Sequence, residues 1–319
     1  MAGKPVSARV SEVALTVGEA DAVRVYGLAE KSEATRHGYR SDFGGFSRWC
    51  LAHGVDPLPA SAGTVAAFLA SEATVGAKAS TLTRKTSAIR YAHRLAGHPS
   101  PTDIEQVRAI LRGIRNTHGA APHQKAPATA DRIKAMLEHV PETLKGKRDR
   151  ALLALGMAGA FRRSELVALQ VADLERVPDG LRVTIRKSKT DQEGIGDVIA
   201  ILRGSRLRPM RAVVEWLDAA CITSGPVFRA INRHGQVSTS GLTPQTVALV
   251  VKHYANGAGL DPDEFAGHSL RAGFLTSAAE AGADVLRMME VSRHKRVETV
   301  RGYVRRANLF RGHAGAGFL

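Results

Sequence analysis

Apolar positions recur at helical spacing along most of the chain. In S-E-A-T-R-H-G-Y-R-S-D-F-G-G-F-S-R-W-C, Tyr39, Phe43, Phe46 and Cys50 share one face of an amphipathic helix, with Gly54 as its stop. A second helix is expected over T-V-A-A-F-L-A-S-E-A. A third is expected over S-T-L-T-R-K-T-S-A-I-R-Y-A-H-R-L-A, with Leu82, Ile89 and Leu95 on or near one face. Thr102 and Glu105 have capping-box spacing, and Ile104, Val107, Leu111 and Ile114 continue from them as a fourth helix ending before Gly119.

Residues 116–128, N-T-H-G-A-A-P-H-Q-K-A-P-A, break the periodicity with two prolines and no apolar stripe, which reads as a linker. Beyond it Thr129 is placed to cap a helix carrying Ile133, Met136, Leu137 and Val140. The run A-L-L-A-L-G-M-A-G-A, residues 151–160, is apolar nearly all round and predicts a buried helix. The clear β signal is L-R-V-T-I-R, the polar turn K-S-K-T-D-Q-E-G-I-G, and D-V-I-A-I-L. Helices resume at 206–220, after Thr243-Pro244, and from about residue 269 to the end. The pattern therefore predicts an N-terminal arm over 1–20, a helical domain over 21–115, the linker, and a second domain over 129–319. That second domain is mainly α with a small β-sheet.

Charge adds a partner class to this outline. The 319 residues hold 45 Lys and Arg against 30 Asp and Glu, a net charge of +15. Residues 1–120 contribute 15 basic and 10 acidic side chains, so the excess is spread over both domains. Nucleic acid is the common counterpart of such a surplus. A charge run is otherwise a solvated face, but with this balance Arg84, Lys85, Arg90 and Arg94 of the third helix are expected to meet DNA phosphates. Two widely separated cysteines, Cys50 and Cys221, offer no disulfide framework or zinc spacing, and a reducing cytoplasm is the simplest compartment. No signal-like segment or 18-residue apolar run is present, so no membrane association is expected.

Four places in the second domain hold polar groups that a purely structural reading explains poorly together. In A-F-R-R-S-E-L-V-A-L, Arg162 and Arg163 follow the apolar helix and Glu165 lies three residues on. Taken alone, this is a surface arginine pair near a helix cap formed by Ser164. Lys187 and Lys189 alternate in the hairpin turn, where a lysine is ordinarily just solvated. His268 and Arg271 of G-H-S-L-R project to one side of a helix start, and no further ligand at metal spacing accompanies them. Val297, Val300 and Val304 form a stripe with Tyr303 at its edge, which alone describes a half-buried core tyrosine.

As a set, these groups suit phosphoryl transfer without a metal. Arginines grip non-bridging oxygens, Lys or His protonates a leaving alkoxide, and tyrosine can attack phosphorus. The order R-x-S-E-L, hairpin lysine, H-x-x-R, H-x8-Y resembles the tyrosine recombinases, or phage integrase family, and most of all its Cre and Xer branch. The resemblance spans nearly the whole chain. It implies a two-domain DNA clamp with a helical SAM-like core-binding domain and a catalytic domain. It also implies catalytic roles for Arg162, Lys189, His268, Arg271, His294 and Tyr303, with Glu165 in support. Arg293 stands where the family often has glycine, so either the turn there differs or Arg293 contacts the DNA backbone.

What the family resemblance implies is a site-specific recombinase working through a 3′-phosphotyrosine, with no cofactor, metal or ATP. Its partner would be a double-stranded recombination site, bound as a homotetramer, with accessory DNA-bending proteins as candidate further partners. A cytoplasmic, nucleoid-associated bacterial location is expected. The last 16 residues, with Leu309, Phe310, Phe318 and Leu319, would dock on a neighbouring protomer or fold back on their own domain. A type IB topoisomerase-like enzyme, or a DNA-binding regulator with a vestigial site, are the alternatives.

Overall fold

The computed structural model describes residues 16–119, 124–186, 196–307, 309, 315, 317 and 318. It divides into two compact units, Met1–Pro122 and His123–Leu319.

The first unit contains α1 (Val17–Ala29), α2 (Glu33–Ala52), α3 (Ala62–Thr74), α4 (Ala79–Leu95) and α5 (Glu105–His118). Helix α1 starts inside the segment expected to be an arm. The Thr16 hydroxyl accepts the Glu19 N–H, and the Glu19 carboxylate accepts the Thr16 N–H at 2.8 Å, a reciprocal cap that the patternless sequence concealed. The stripe on α2 does what its spacing predicted: Phe46 and Cys50 are fully buried, with Phe68, Leu69, Leu82, Ile89 and Val107 around them. Phe46 and Phe68 meet edge to face at 5.1 Å.

Two details of this unit differ from the pattern. Leu95 is 75% exposed, because the buried face of α4 runs through Leu82, Thr86, Ile89 and His93 and a residue two past His93 falls on the opposite side of the helix. The Thr102–Glu105 capping box does not form. Pro101–Asp103 makes a 3₁₀ turn, and α5 starts at Glu105 behind Ile104. The Thr102 hydroxyl is buried and accepts from Arg90 Nε at 3.1 Å instead.

The basic run on α4 is bound up with the unit's own carboxylates. Arg84 forks onto the buried Asp42 through Nε and Nη2, at 2.7 and 3.0 Å. Lys85 pairs with Glu72 at 2.5 Å and lies over the Phe68 ring. Arg90 and Arg94 share Asp103, at 2.6 and 3.5 Å. These cations fasten α4 to its neighbours in the unit. Arg84 and Arg94 keep most of their side-chain surface in solvent, whereas Lys85 is only 16% exposed.

In the second unit come α6 (Ala130–Glu138), α7 (Leu144–Ala158) and α8 (Arg163–Ala168). Next are β1 (Leu174–Val177), β2 (Gly180–Ile185) and β3 (Asp197–Leu202), then α9 (Pro209–Ala219), β4 (Arg229–Ile231) and β5 (Val237–Gly241). Helices α10 (Pro244–Gly257), α11 (Ser269–Glu280), α12 (Val285–Ser292) and α13 (Val297–Ala307) complete it. The unit is mainly helical with small sheets, as the pattern predicts. Helix α7 is buried along most of its length, and Trp216 of α9 is fully enclosed with its indole N–H on Val227 O at 2.8 Å.

The expected β2–β3 hairpin pairs antiparallel, Gly180 opposite Leu202 through Ile185 opposite Asp197. Strand β1 adds a third, and β4 and β5 form a second sheet. These extra strands are short and largely exposed, so they carry no alternation strong enough to read. The turn holding Lys187 and Lys189 lies outside the described residues.

Residues 124–128 run beside the stretch from Asp263 to the first turn of α11. Ala126 N–H donates to Glu264 O at 2.7 Å and Ala128 N–H to Ser269 O at 2.9 Å. Gly273 permits this approach: a Cβ there would stand 1.8 Å from Ala128 O. Gly273→Ala is expected to destabilise the second unit by about 1–3 kcal/mol, read by chemical denaturation. An unchanged midpoint would contradict the close approach.

Candidate active site

The site is built where the buried helix α7 stops. Gly156 lets α8 and α11 pack against its last turns, since a Cβ there would fall within 2.8 Å of Leu270 and 2.9 Å of Leu166. Ala160 then takes a left-handed conformation, φ 46°. The turn sends Phe161 into the core and brings Arg162 out at the N-terminal end of α8.

Glu165, 3% exposed, is the anionic hub of this corner. Its Oε1 accepts from Arg162 Nη1 at 2.5 Å, and its Oε2 accepts from Arg162 N–H at 3.0 Å and from Arg293 Nη2 at 2.7 Å. Burial pushes the Glu165 pKa up, but the charges of Arg293 and Arg162 and the bonds from Arg162 outweigh it and leave it below the ordinary value. The carboxylate is ionised, and each of its oxygens faces a guanidinium.

Helix α11 supplies the second group. His268 immediately precedes it without a side-chain cap bond, and Arg271 follows in its first turn. Arg271 is 1% exposed and donates from Nη1 to Ala160 O at 2.8 Å, so the turn that presents Arg162 also anchors Arg271. Burial, together with the nearby Arg162 and Arg293 charges, draws its pKa down to about 9, which leaves it charged at neutral pH. His268 is at the surface, and desolvation with the Arg271 and Arg162 charges lowers its pKa.

His294 follows the end of α12. Arg271 Nη2 lies 3.2 Å from its Nδ1 and 3.3 Å from its Nε2, and the buried Ser292 hydroxyl is 2.8 Å from Nδ1. Arginine only donates, so the ring must keep a lone pair towards it and is neutral. Its pKa is drawn down to about 4 by burial and by Arg271, Arg162, His268 and Arg293. The unfolded chain takes up this proton near 6.5 and the folded chain only near 4, so folding stability falls as pH drops through that interval. His294→Gln is expected to flatten this part of the stability curve, measured by denaturant unfolding at a series of pH values. Equal pH slopes in the two proteins would contradict a neutral His294.

Tyr303, on α13, is half-buried and packs on the cluster of Leu275, Ala279, Met288 and Val300. Arg306, one turn on, stands over its ring at 5.1 Å. Of the expected stripe, Val300 is fully buried and Val297 is 37% exposed. Burial raises the Tyr303 pKa, and Arg306 and Arg271 work against that rise.

The structure thus brings Arg162, Glu165, His268, Arg271, His294 and Tyr303 into one electrostatic neighbourhood, with Lys189 outside the described residues. Arg293 departs from expectation. Its side chain, 4% exposed, turns inward to Glu165 rather than outward to a DNA backbone. Among the described residues no three His, Cys, Asp or Glu side chains gather as a metal site, and no helix is long and apolar enough to cross a membrane.

A mostly helical catalytic unit with two arginines, two histidines and a tyrosine at this spacing defines a class. Residues 128–309 match the phage integrase family, and the chain belongs to it: it is a tyrosine recombinase, a site-specific DNA strand-transferring enzyme. It is 41% identical over 293 residues to an integrase/recombinase xerD homolog of Selenomonas ruminantium, covering 89% of this chain and 86% of that protein. It is 22% identical over 281 residues to the recombinase Cre of Escherichia phage P1, covering 82% and 80%. Among solved structures, the Tn1549 transposon integrase in complex with transposon right end DNA shares the fold, with a TM-score of 0.60 at 15% identity over 91% of this chain and 96% of that one.

Proposed function

We propose that this recombinase cuts and rejoins duplex DNA through a 3′-phosphotyrosine at Tyr303. The observation that carries this reading is the buried, fixed guanidinium of Arg271, which contacts His294 and whose charge acts on Tyr303. In the first step Tyr303 Oη bonds to phosphorus as the O5′–P bond breaks. The phenol is protonated at neutral pH, and the family resemblance gives His268 the proton-handling role. Lys189 returns a proton to the departing O5′. Arg162 and Arg271 neutralise the non-bridging oxygens, aided by a hydrogen bond from His294. In the second step the 5′-hydroxyl of a partner strand attacks the phosphotyrosine and releases Tyr303, so one phosphodiester replaces another and no ATP is consumed.

The partner under this reading is a double-stranded recombination site, with four protomers required to cut two duplexes. Arg84 and Arg94 are the α4 side chains left open enough to reach phosphates, and affinity should fall steeply with salt. The test is a nicked suicide duplex carrying the site that the chain selects from a random-sequence pool, incubated in EDTA without ATP. A covalent protein–DNA adduct, and exchange between two intact sites, are expected. Relaxation of supercoils without exchange would favour the topoisomerase reading, and no adduct the regulator.

A further inference from the structure

Arg293 occupies a backbone conformation that favours glycine, φ 56°, at the C-terminal cap of α12. An arginine in that place, folded into the protein and 8% exposed, needs a reason. Its guanidinium is held on four sides. Nη1 donates to Val291 O at 2.6 Å and to Gly159 O at 3.2 Å, and Nη2 to Glu165 Oε2 at 2.7 Å and to Ala160 O at 3.5 Å. The group lies 5.4 Å over the Phe161 ring, and its Nε is buried without a partner among the described residues. Such a donor is costly to leave unmatched, so the side chain is not placed there by its own hydrogen bonding alone.

We propose that Arg293 is a positioning residue for the two clamp arginines, an inference that rests on the assignment of Arg162 and Arg271 to the scissile phosphate. Glu165 aims Arg162, but a lone carboxylate beside Arg162 would also cancel most of its charge. Arg293 supplies the second counter-charge on Oε2, so Arg162 is aimed without being neutralised. On Ala160 O it meets the same carbonyl that anchors Arg271 Nη1, tying both clamps to the turn after α7. Its peptide also leads directly into His294. The Glu165–Arg293 ion pair has both side chains nearly sealed, 1% and 4% exposed, so solvent screens it little.

The test compares Arg293→Gly and Arg293→Lys with the wild type on the nicked suicide duplex under single turnover. Glycine suits the backbone, so a purely conformational role predicts cleavage at least as fast as wild type. A positioning role predicts a fall of about 10- to 100-fold in the rate at saturating protein, the scale on which loss of an orienting partner is felt, with DNA affinity changed by about twofold or less. Arg293→Lys should retain part of the rate. Wild-type cleavage by Arg293→Gly, a loss confined to DNA affinity, or an Arg293→Lys no faster than Arg293→Gly would each overturn the proposal. Tyr303→Phe is the control for the assignment beneath it: an adduct in that variant would overturn both, and its absence leaves the Arg293 comparison decisive.

Discussion

Tyr303→Phe is expected to abolish the covalent adduct and to slow strand cleavage by at least about 10⁴-fold, as loss of a covalent nucleophile does elsewhere. The substitution removes one oxygen. The ring keeps its packing on Leu275, Ala279, Met288 and Val300, and phenylalanine still offers a face to Arg306. Stability should therefore change by less than about 0.5 kcal/mol, and DNA affinity should persist. A variant that unfolds, or one that still cleaves, would separate Tyr303's packing role from the chemical one in opposite ways.

Arg271→Lys is expected to cost about 10²- to 10³-fold in cleavage rate, the scale of losing a fixed donor to a developing anion. Lysine keeps a charge but cannot reach Ala160 O and His294 at once as the planar fork does. The pH dependence should change as well. Burial and like charges bring Arg271 from the ordinary arginine value down to about 9. The same burial and like charges acting on a lysine, whose ordinary value already lies below that of arginine, would draw its pKa down as well. The lysine variant should therefore lose its charge, and further activity, at a lower pH than the wild-type clamp, which stays charged up to about 9. A variant whose rate relative to wild type does not vary with pH would contradict the burial argument.

Much of this was legible in the sequence because helices declare themselves by period. Phe46 and Cys50, the apolar run of α7 and the Thr243-Pro244 start of α10 follow from spacing and cap chemistry that neighbouring residues do not override. Thr102 shows the opposite case. Its spacing to Glu105 is that of a cap, but Pro101 favours a tighter turn, and Arg90 competes for the hydroxyl. On α4 the sequence showed the cations without their partners, since Asp42, Glu72 and Asp103 come from other parts of the unit.

The candidate site divides in the same way. Arg162, His268, Arg271, His294 and Tyr303 could be picked out by order and spacing, because the chemistry fixes their types. Arg293 could not be placed, although the departure from glycine was visible. Whether an arginine at a left-handed cap points out to a polyanion or in to a carboxylate depends on where α8 packs. Only the fold puts Glu165 Oε2 at 2.7 Å from Nη2. The signal that could have found it is charge balance: a glutamate buried beside one arginine wants a second.

The most direct test of the central claim is to trap the adduct of the wild-type chain on the suicide duplex, digest it, and map the linked residue by mass spectrometry. One modified peptide is expected, with a DNA 3′-phosphate joined to the phenolic oxygen of Tyr303 and a free 5′-hydroxyl on the released strand. Linkage to any other residue, or to a 5′-phosphate, would contradict it.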